Sequence, residues 1–404
     1  MEMSKLKRPL EGLKVLDFTI ALAGVYVSWQ LADMGAEVWK VERYGFGDQS
    51  RAWDPFINDM STLYVSYNKN KKSIELNLKK EAGKQVIYDL VKEADIVVEN
   101  FKSGSIDRLG LGYDKLKEIN PKIVFLSLSG FGKDGPLAKL PCYDAIAAAR
   151  GGFAGSNGEP SGTPMKAANA NCDTLTGTHA LNAVLMGLYN ARKTGKGCNI
   201  DIAMADTVMI SCGETAMDYF SGNYQYARFG NHDRFIAPYG VFEARDGWIV
   251  IIADTEEKWH KLCEAFGKEE WKNDPRFIDN EARIANKDEL VKEIEKVTSG
   301  LKRNEAETIL LNAGVPASEV LSFIEAYTSD HANKTECTER VNQDNIGLLR
   351  FYNNPLHFND EKCQITKGAP LLGQHSKEIL KGVGYIDEEI EKLYEDGVVG
   401  STLI

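Results

Sequence analysis

The fold class of this chain is decided by the stretch from Asp95 to Gly132, which reads DIVVENFKSGSIDRLGLGYDKLKEINPKIVFLSLSGFG. It contains two continuous apolar runs, at 95–101 and 122–132, of the kind that forms strands buried on both faces of a parallel sheet. Before this stretch, strand patterns alternate with helical patterns, and the strand patterns lie at 14–18, 36–42 and 73–78. This alternation predicts an α/β fold with a doubly wound sheet.

The pattern changes in the second half of the chain. The segment 237–254 predicts a β-hairpin with its turn at Arg245, Asp246 and Gly247, and short, charged helical patterns follow it. We therefore expect a smaller α+β domain at about residues 225–325.

Composition argues against several classes of protein. The 404 residues carry a formal net charge of -11, whereas a nucleic-acid-binding surface needs clustered Lys and Arg. No apolar run approaches the roughly 20 residues of a membrane span, and residues 1–14 lack the apolar core of a secretory signal. Seven scattered Cys residues and six His residues without a metal-ligand spacing predict reduced thiols, a cytoplasmic location and no metal site.

One carboxylate, Asp173, stands at the start of a predicted helix with an apolar face and a face of small residues. Asp is a favoured N-cap, which contributes about 1 kcal/mol, although position 176 is Thr and completes no capping box. Local chemistry therefore favours a cap over a reacting group. The neighbouring Cys172 is an alternative nucleophile, but no His is an evident partner for it.

Basic residues are concentrated in the first quarter of the chain. They are either solvated surface charges or a pocket for a phosphorylated ligand, and the pattern leaves both open. The residues are Arg43, Lys69, Lys71, Lys72, Lys79, Lys102 and Arg108. The turn after the first strand has only Gly24 where a dinucleotide fingerprint needs three glycines, so Glu42 is a weak candidate for ribose binding and a nicotinamide enzyme is not expected.

Several longer segments follow one another in a recognisable order. They are PLEGLKVLDFT (9–19), LADMGAEVWKVER (31–43), NKKSIELNLK (70–79), CDTLTGTHALNAVLMGLYNARKTGKGCNIDIAMAD (172–206) and GAPLLGQHSKEIL (368–380). In this order and spacing the chain resembles the class III CoA-transferases, a family that includes formyl-CoA:oxalate, carnitine and bile-acid CoA-transferases. The resemblance spans nearly the whole chain.

The resemblance implies a Rossmann-like large domain built from both termini, here residues 1–224 and 326–404, with the smaller domain 225–325 inserted between them. It also implies an interlocked homodimer. Asp173 becomes the expected nucleophile, which reverses the local preference for a cap. No cofactor is held permanently, because CoA and acyl-CoA are substrates. The implied CoA contacts are Ala23, Arg43, Leu76, Lys79, Asn100, Phe101, Arg108, Tyr143 and Met204.

The implied reaction moves CoA from an acyl-CoA to a carboxylic acid through an aspartyl anhydride and an aspartyl-CoA thioester. The related 2-methylacyl-CoA racemases are an alternative, but they use a His where this chain has Tyr143, and a phenol is a poor general base at neutral pH. A non-catalytic acyl-CoA-binding protein is a further alternative. Ile20 and Leu22 are apolar where oxalate-specific members carry polar groups, so a less polar acid is expected.

Overall fold

The computed structural model describes residues 8–222 and 227–400 of the chain. Its strands, in chain order, are β1 Lys14–Asp17, β2 Glu37–Arg43, β3 Phe56–Ile57, β4 Met60–Ser61, β5 Lys72–Leu76, β6 Ile96–Glu99, β7 Val124–Ser129, β8 Cys198–Ala203, β9 Tyr239–Ala244, β10 Gly247–Ile252, β11 Ala317–Glu319, β12 Thr338–Gln343, β13 Gly347–Tyr352, β14 His357–Phe358, β15 Glu361–Lys362 and β16 Val399–Gly400.

The helices lie between these strands. In chain order they are α1 Ala23–Asp33, α2 Thr62–Asn68, α3 Glu81–Glu93, α4 Ser105–Arg108, α5 Tyr113–Ile119, α6 Asp144–Arg150, α7 Phe153–Ser156, α8 Asn171–Thr194, α9 Met204–Ser211, α10 Gly213–Phe220, α11 Glu256–Ala265, α12 Asn280–Ala285, α13 Lys287–Thr298, α14 Arg303–Asn312, α15 Phe323–Thr328, α16 Asp330–Lys334, α17 Ser376–Gly382 and α18 Asp387–Glu395, with single 3-10 turns at Gln49–Ala52 and Glu269–Asn273.

A large sheet contains seven strands in the order β16-β5-β2-β1-β6-β7-β8. All neighbouring strands in it are parallel except β16, which pairs antiparallel with β5. Taken in chain order, the six parallel strands have the 3-2-1-4-5-6 arrangement of doubly wound sheets. The predicted α/β class and the large parallel sheet are therefore confirmed.

The continuous apolar runs form two adjacent interior strands of this sheet, β6 and β7. Ile96, Val97 and Val98 of β6 are fully buried, because helices cover both faces of the sheet. On one face, α3 packs its apolar stripe against the sheet, including Val86 and Leu90, in the amphipathic segment that the 3.6-residue period predicts.

The chain forms two compact units. The first contains the residues up to Phe153, Lys166–Ser221 and the residues from His331 onward, and the second contains Ala154–Met165 and Gly222–Asp330. The second unit holds the predicted hairpin, which is confirmed as β9 and β10, and α11, α13 and α14 follow it. The boundaries predicted at 224 and 225, residue 1 and residue 404 lie outside the described residues. The assignment of the predicted domains stays a prediction.

Candidate active site

A crevice opens where the strand order of the large sheet reverses, between the carboxyl ends of β1 and β6. Parallel α/β sheets bind ligands at such a point, because the connections from the two strands leave on opposite faces. Here the crevice is a cavity of about 500 Å³. Segments 20–23 after β1, 100–103 after β6 and 128–130 at the end of β7 form its wall, together with the starts of α6, α8 and α9.

Asp173 lines this cavity from the first turn of α8. It is not the N-cap, because the helix begins at Asn171 and the capping position is Ala170, which has no side-chain cap bond. The local sequence favoured Asp173 as the capping carboxylate of this helix, but that carboxylate is supplied by Asp144, which lies earlier in the chain. Asp144 Oδ1 accepts hydrogen bonds from the backbone N–H groups of Cys172, at 2.7 Å, and Asp173, at 3.2 Å.

The Asp173 carboxyl group stays partly buried beside the Asp144 carboxylate. Burial, and then the negative charge of Asp144, raise the pKa of Asp173 to about 7. A carboxyl group with such a pKa exists in both protonation states near neutral pH. It is also more basic, and so more nucleophilic when ionised, than an ordinary aspartate.

The two neighbouring thiols are not activated. Burial, followed by the charges of Asp144 and Asp173, raises the pKa of the Cys172 thiol to about 12. Burial likewise raises the pKa of Cys142 to about 11. Since the thiolate is the reactive form of cysteine, the sequence-based alternative of Cys172 as the nucleophile is not supported by its surroundings.

Close helix packing brings Asp173 to the loop after β1. A Cβ atom at Gly177 would lie 2.7 Å from the Tyr26 ring and 3.0 Å from the carbonyl oxygen of Ala23. Glycine at position 177 therefore allows the start of α1 to pack closely against the first turns of α8, because a side chain there would clash. This agrees with the face of small residues that the sequence predicts on that helix.

The loop after β1 is fixed from the neighbouring strand. Asn100 Oδ1 accepts a hydrogen bond from the Ile20 N–H, and Asn100 Nδ2 donates one to the Ile20 carbonyl oxygen, both at 2.8 Å. Ala21 has a positive φ of 65°. A Cβ atom at Gly24 would lie 2.6 Å from Thr19 Cγ2 and 3.1 Å from Asn100 Cβ, so the loop, β6 and α1 leave no room for a larger residue.

Five of the nine residues expected to contact CoA line the same cavity as Asp173. They are Ala23, Asn100, Phe101, Tyr143 and Met204. Tyr143 immediately precedes α6 and is 61% exposed, whereas Met204 is the buried first residue of α9. Trp53 also lies on the wall and is 37% exposed.

A second cavity, of about 560 Å³, adjoins the first at the ends of β2 and β5. Arg43, Leu76 and Lys79 line it, and Ile20, Gln49 and Phe101 belong to the walls of both cavities. The Arg43 guanidinium lies 4.5 Å from the centroid of the Phe46 ring. Both side chains are exposed, so a cation and an aromatic face are accessible together.

Arg108 does not join the other predicted CoA contacts. It lies on α4, is exposed, and donates a hydrogen bond from Nη2 to Ser105 Oγ at 2.9 Å. It is outside the walls of both cavities.

Three of the early lysines fit neither of the two alternatives that the sequence left open, a solvated surface or a pocket for a phosphorylated ligand. Lys69 and Lys71 are buried, and Lys71 Nζ lies 3.0 Å from Asp17 Oδ2. Lys72 forms ion pairs with Glu37 and Glu378. Lys71 and Lys72 thus pair with carboxylates of the protein itself, and Lys69 Nζ lies 4.1 Å and 4.0 Å from the centroids of the Trp29 and Tyr352 rings. Arg43, Lys79 and Lys102 are the members of the set that line either of the two cavities described above.

Glu42 is not available to a ribose. Its buried carboxylate accepts hydrogen bonds from Arg51 Nε at 2.8 Å and Nη2 at 2.7 Å, and from Ser73 Oγ at 2.6 Å. Beside it, Lys40 and Asp48 form a buried ion pair at 2.8 Å. Asp48 Oδ1 also accepts the Ala21 N–H at 3.3 Å, so this charged cluster supports the loop that lines the cavity.

Sequence reasoning missed Asp144 and the Lys40–Asp48 pair, because neither belongs to a local pattern. The only signal for Asp144 in the sequence is its position directly after Tyr143. Within the described residues, no group of three or more His, Cys, Asp or Glu side chains could hold a metal ion. Nor does that part of the chain contain a helix that is both long and apolar enough to cross a membrane.

Comparison with known proteins places the chain in a family. A sequence model described as CoA-transferase family III matches residues 10–376. The succinyl-CoA:glutarate CoA-transferase of Mus musculus is 34% identical over 97% of this chain and 90% of its own length. The acetyl-CoA:oxalate CoA-transferase of Acetobacter aceti is 36% identical over 94% of this chain and 96% of its own.

Solved structures agree with this result. A CAIB/BAIF family protein from Brucella suis is 32% identical and superposes with a TM-score of 0.85, covering 94% of this chain and 100% of its own. The chain therefore belongs to CoA-transferase family III and is an enzyme of the transferase class.

Proposed function

We propose that this enzyme transfers CoA from an acyl-CoA thioester to an acceptor carboxylic acid, with Asp173 as the group that carries acyl and CoA in turn. The observation that supports this most directly is the position of Asp173. It is a partly buried carboxyl group with a raised pKa, and it lies at the start of a long helix on the wall of the cavity between the carboxyl ends of β1 and β6.

The first half of the reaction forms two covalent states. A carboxylate oxygen of Asp173 attacks the thioester carbonyl carbon, the C–S bond breaks, and CoA leaves as a thiolate. The thiolate then attacks the Asp173 carbonyl carbon of the mixed anhydride, and the donor acid leaves as a carboxylate. Asp173 now carries CoA as a thioester, so the thioester energy is conserved.

The second half repeats these steps with the acceptor. The acceptor carboxylate attacks the aspartyl thioester and releases the CoA thiolate, which attacks the acceptor acyl carbon of the new anhydride. The products are the new acyl-CoA and free Asp173, with no net consumption of protons or electrons. This mechanism explains why residue 173 is an aspartate, because a carboxylate can form both an anhydride and a thioester.

The two adjoining cavities suit the two ends of CoA. The nucleotide end would lie in the second cavity, where Arg43 and Lys79 offer cations for phosphate and Leu76 an apolar surface. The thioester end would lie beside Ala23, Tyr143 and Met204 in the cavity that contains Asp173. Phe101, which borders both, would lie under the connecting arm.

The acceptor is proposed to be less polar than oxalate. Ile20 and Leu22 lie on the wall of the Asp173 cavity and offer apolar side chains there. An apolar wall would also restrict water, which would hydrolyse the anhydride.

We also propose that the enzyme acts as a homodimer, with the large domain formed by 1–224 and 326–404 and the smaller domain by 225–325. Several large apolar side chains on α8, α9 and α10 are exposed, and burying them against a second copy of the chain would support self-association. They are Met186, Tyr189, Met209, Ile210, Met217 and Phe220. Light scattering coupled to size-exclusion chromatography would measure the mass, and a monomer at micromolar concentration would contradict this proposal.

The experiment that tests the mechanism is intact-protein mass spectrometry after mixing with a panel of acyl-CoAs, followed by trapping with borohydride or hydroxylamine. We expect a CoA-sized or acyl-sized adduct that maps to Asp173. Asp173→Asn should give no adduct. The matched control is Asp206→Asn, which changes an exposed acid in the first turn of α9 and should leave the adduct unchanged.

Two results would contradict the transfer mechanism. Exchange of the substrate α-proton in D₂O without any adduct would favour a racemase. Tight binding of CoA without turnover, unaffected by Asp173→Asn, would favour a non-catalytic acyl-CoA-binding protein.

A further inference from the structure

Asp144 caps a helix to which it does not belong. It is the first residue of α6, which packs against α8 and α9. Its Oδ1 atom accepts the N–H groups of Cys172 and Asp173 at 2.7 Å and 3.2 Å. A carboxylate from a separate element therefore occupies the positive end of the helix that carries the proposed nucleophile.

We propose that Asp144 is a positioning residue that holds the start of α8 and, through its charge, favours the covalently acylated state of Asp173 over the free carboxylate. This inference rests on the proposed function, because it needs Asp173 to become acylated.

The N–H groups at the start of α8 are directed to Asp144. The free N–H groups of a first helical turn ordinarily stabilise a carboxylate placed there. Asp144 accepts two of them, and within the described residues no hydrogen bond reaches the Asp173 side-chain oxygens. The positive end of α8 thus stabilises the Asp144 carboxylate and not the carboxylate of Asp173, the reacting group.

Asp144 supplies a negative charge that faces Asp173. Asp144 is the nearby carboxylate, and it raises the pKa of Asp173 in addition to burial. The thiols of Cys142 and Cys172 face the same group and are uncharged at neutral pH, because burial raises their pKa values. Two lysines, Lys102 and Lys166, also line the cavity, but both side chains are exposed to solvent.

Acylation of Asp173 changes the charge beside Asp144. Free, ionised Asp173 places a second negative charge beside Asp144, whereas the anhydride and the thioester carry no charge on residue 173. Each acylation therefore removes the repulsion, and the negative charge leaves with the thiolate or the departing acid. The charge of Asp144 raises the free energy of the resting carboxylate relative to the covalent states.

The test separates the charge of Asp144 from its hydrogen bonds. Asp144→Asn keeps an oxygen for the two amides but removes the charge, and Asp144→Ala removes both. Asp114→Asn, an exposed acid on α5 that pairs with Lys117, is the matched control. The measurements are the ¹³C titration of the Asp173 carboxyl carbon, assigned by its loss in Asp173→Asn, the pH profile of kcat/KM, and the fraction of enzyme trapped as adduct.

We expect Asp144→Asn to lower the Asp173 titration midpoint and the acid limb of kcat/KM by about one pH unit or more. Its trapped fraction at neutral pH should fall, while its thermal midpoint stays close to that of the wild type. Asp144→Ala should show the same titration shift together with a lower thermal midpoint, and Asp114→Asn should match the wild type throughout. Should Asp144→Asn fail to fold, Asp144→Ser supplies another uncharged capping side chain.

An Asp173 midpoint and trapped fraction that are the same in Asp144→Asn as in the wild type would overturn the inference, and the proposed function would stand if the wild type forms its adduct. A wild type that forms no adduct on Asp173 with any acyl-CoA would overturn the proposed function and, with it, the acylation role of Asp144.

Discussion

Asn100 and Ile20 are joined by two hydrogen bonds across the point where the strand order of the large sheet reverses. The side-chain oxygen accepts the Ile20 N–H and the side-chain nitrogen donates to the Ile20 carbonyl, each at 2.8 Å. Asn100 follows β6 and Ile20 follows β1, so the amide fixes the distance between the two loops that form the wall of the Asp173 cavity. Its role here is to shape the site, whatever contact it makes with CoA.

Replacing Asn100 with Ala should weaken acyl-CoA binding more than it weakens folding. The loop 20–23 loses both hydrogen bonds, so the positive φ of Ala21 is less strongly stabilised. We expect KM for acyl-CoA to rise about tenfold, in line with two lost hydrogen bonds of about 1 kcal/mol each that act partly on binding. Steady-state kinetics measures this.

Asn120→Ala is the matched control for that experiment. Its side chain donates hydrogen bonds to the Val91 and Ala94 carbonyl oxygens at 3.0 Å and 2.8 Å and accepts one from the Lys122 N–H at 3.1 Å, but it lies away from both cavities. It should lose a similar amount of stability and keep its KM. Equal rises of KM in the two variants would show that Asn100 acts only through global stability.

Asp173→Asn should stabilise the folded enzyme at pH 8 while abolishing transfer. The pKa of Asp173 is about 7 in the fold against an ordinary value of 3.8, so ionisation costs more in the folded than in the unfolded chain. The wild type therefore loses stability as pH rises from about 4 through 7, and the variant does not. With a shift of about 3 pKa units at about 1.4 kcal/mol per unit, the gain at pH 8 is on the order of 4 kcal/mol.

Urea denaturation of both proteins between pH 4 and pH 8 would measure this difference. The two curves should approach each other toward pH 4, where Asp173 is protonated in the folded chain and about half protonated in the unfolded chain. A difference that does not change with pH would contradict the raised pKa.

Arg43→Ala should weaken the binding of CoA by about 10- to 100-fold, as expected for the loss of a charge-assisted hydrogen bond to phosphate. Arg43 lines the second cavity, whereas Arg108 lies outside both. Arg108→Ala is therefore the matched control and should change the dissociation constant little. Isothermal titration calorimetry with CoA would measure both dissociation constants. A larger increase in the dissociation constant for Arg108→Ala than for Arg43→Ala would place the nucleotide end of CoA on α4 and away from the second cavity.

Lys71→Met should destabilise the enzyme by about 3–5 kcal/mol at pH 7, because it leaves the buried Asp17 carboxylate without its cation. Burial alone would raise the pKa of Asp17, but Lys71 and Lys40 hold it below its ordinary value. The stability that this carboxylate contributes is present above pH 3.8 and is lost as the pH falls further. The penalty of Lys71→Met should accordingly shrink in acid, where Asp17 takes up a proton.

Chemical denaturation at pH 7 and pH 4 would test this prediction. Lys84→Met is the control, because its ion pair with the exposed Glu81 is at the surface and such pairs contribute about 0–1 kcal/mol. A loss at Lys71 no larger than that at Lys84 would contradict the structural role of the buried pair.

The sequence by itself determined the elements of the fold. The continuous apolar runs at 95–101 and 122–132 indicated strands buried on both faces, and they are β6 and β7, two adjacent interior strands of the sheet. The turn residues Arg245, Asp246 and Gly247 predicted the β9–β10 hairpin. These features are local, since period, turn residues and helix ends depend on neighbours within a few positions of the chain.

Only the tertiary structure decided how the charged residues are used. Lys71 looks like a surface lysine in the sequence, yet it is buried against Asp17, 54 positions away. Asp173 reads as a cap, yet the amides of Cys172 and Asp173 are capped by Asp144, up to 29 positions before them. A charge is stabilised by whichever partner shares its low-dielectric surroundings, and burial and partnership arise from contacts between distant parts of the chain, which no local pattern encodes.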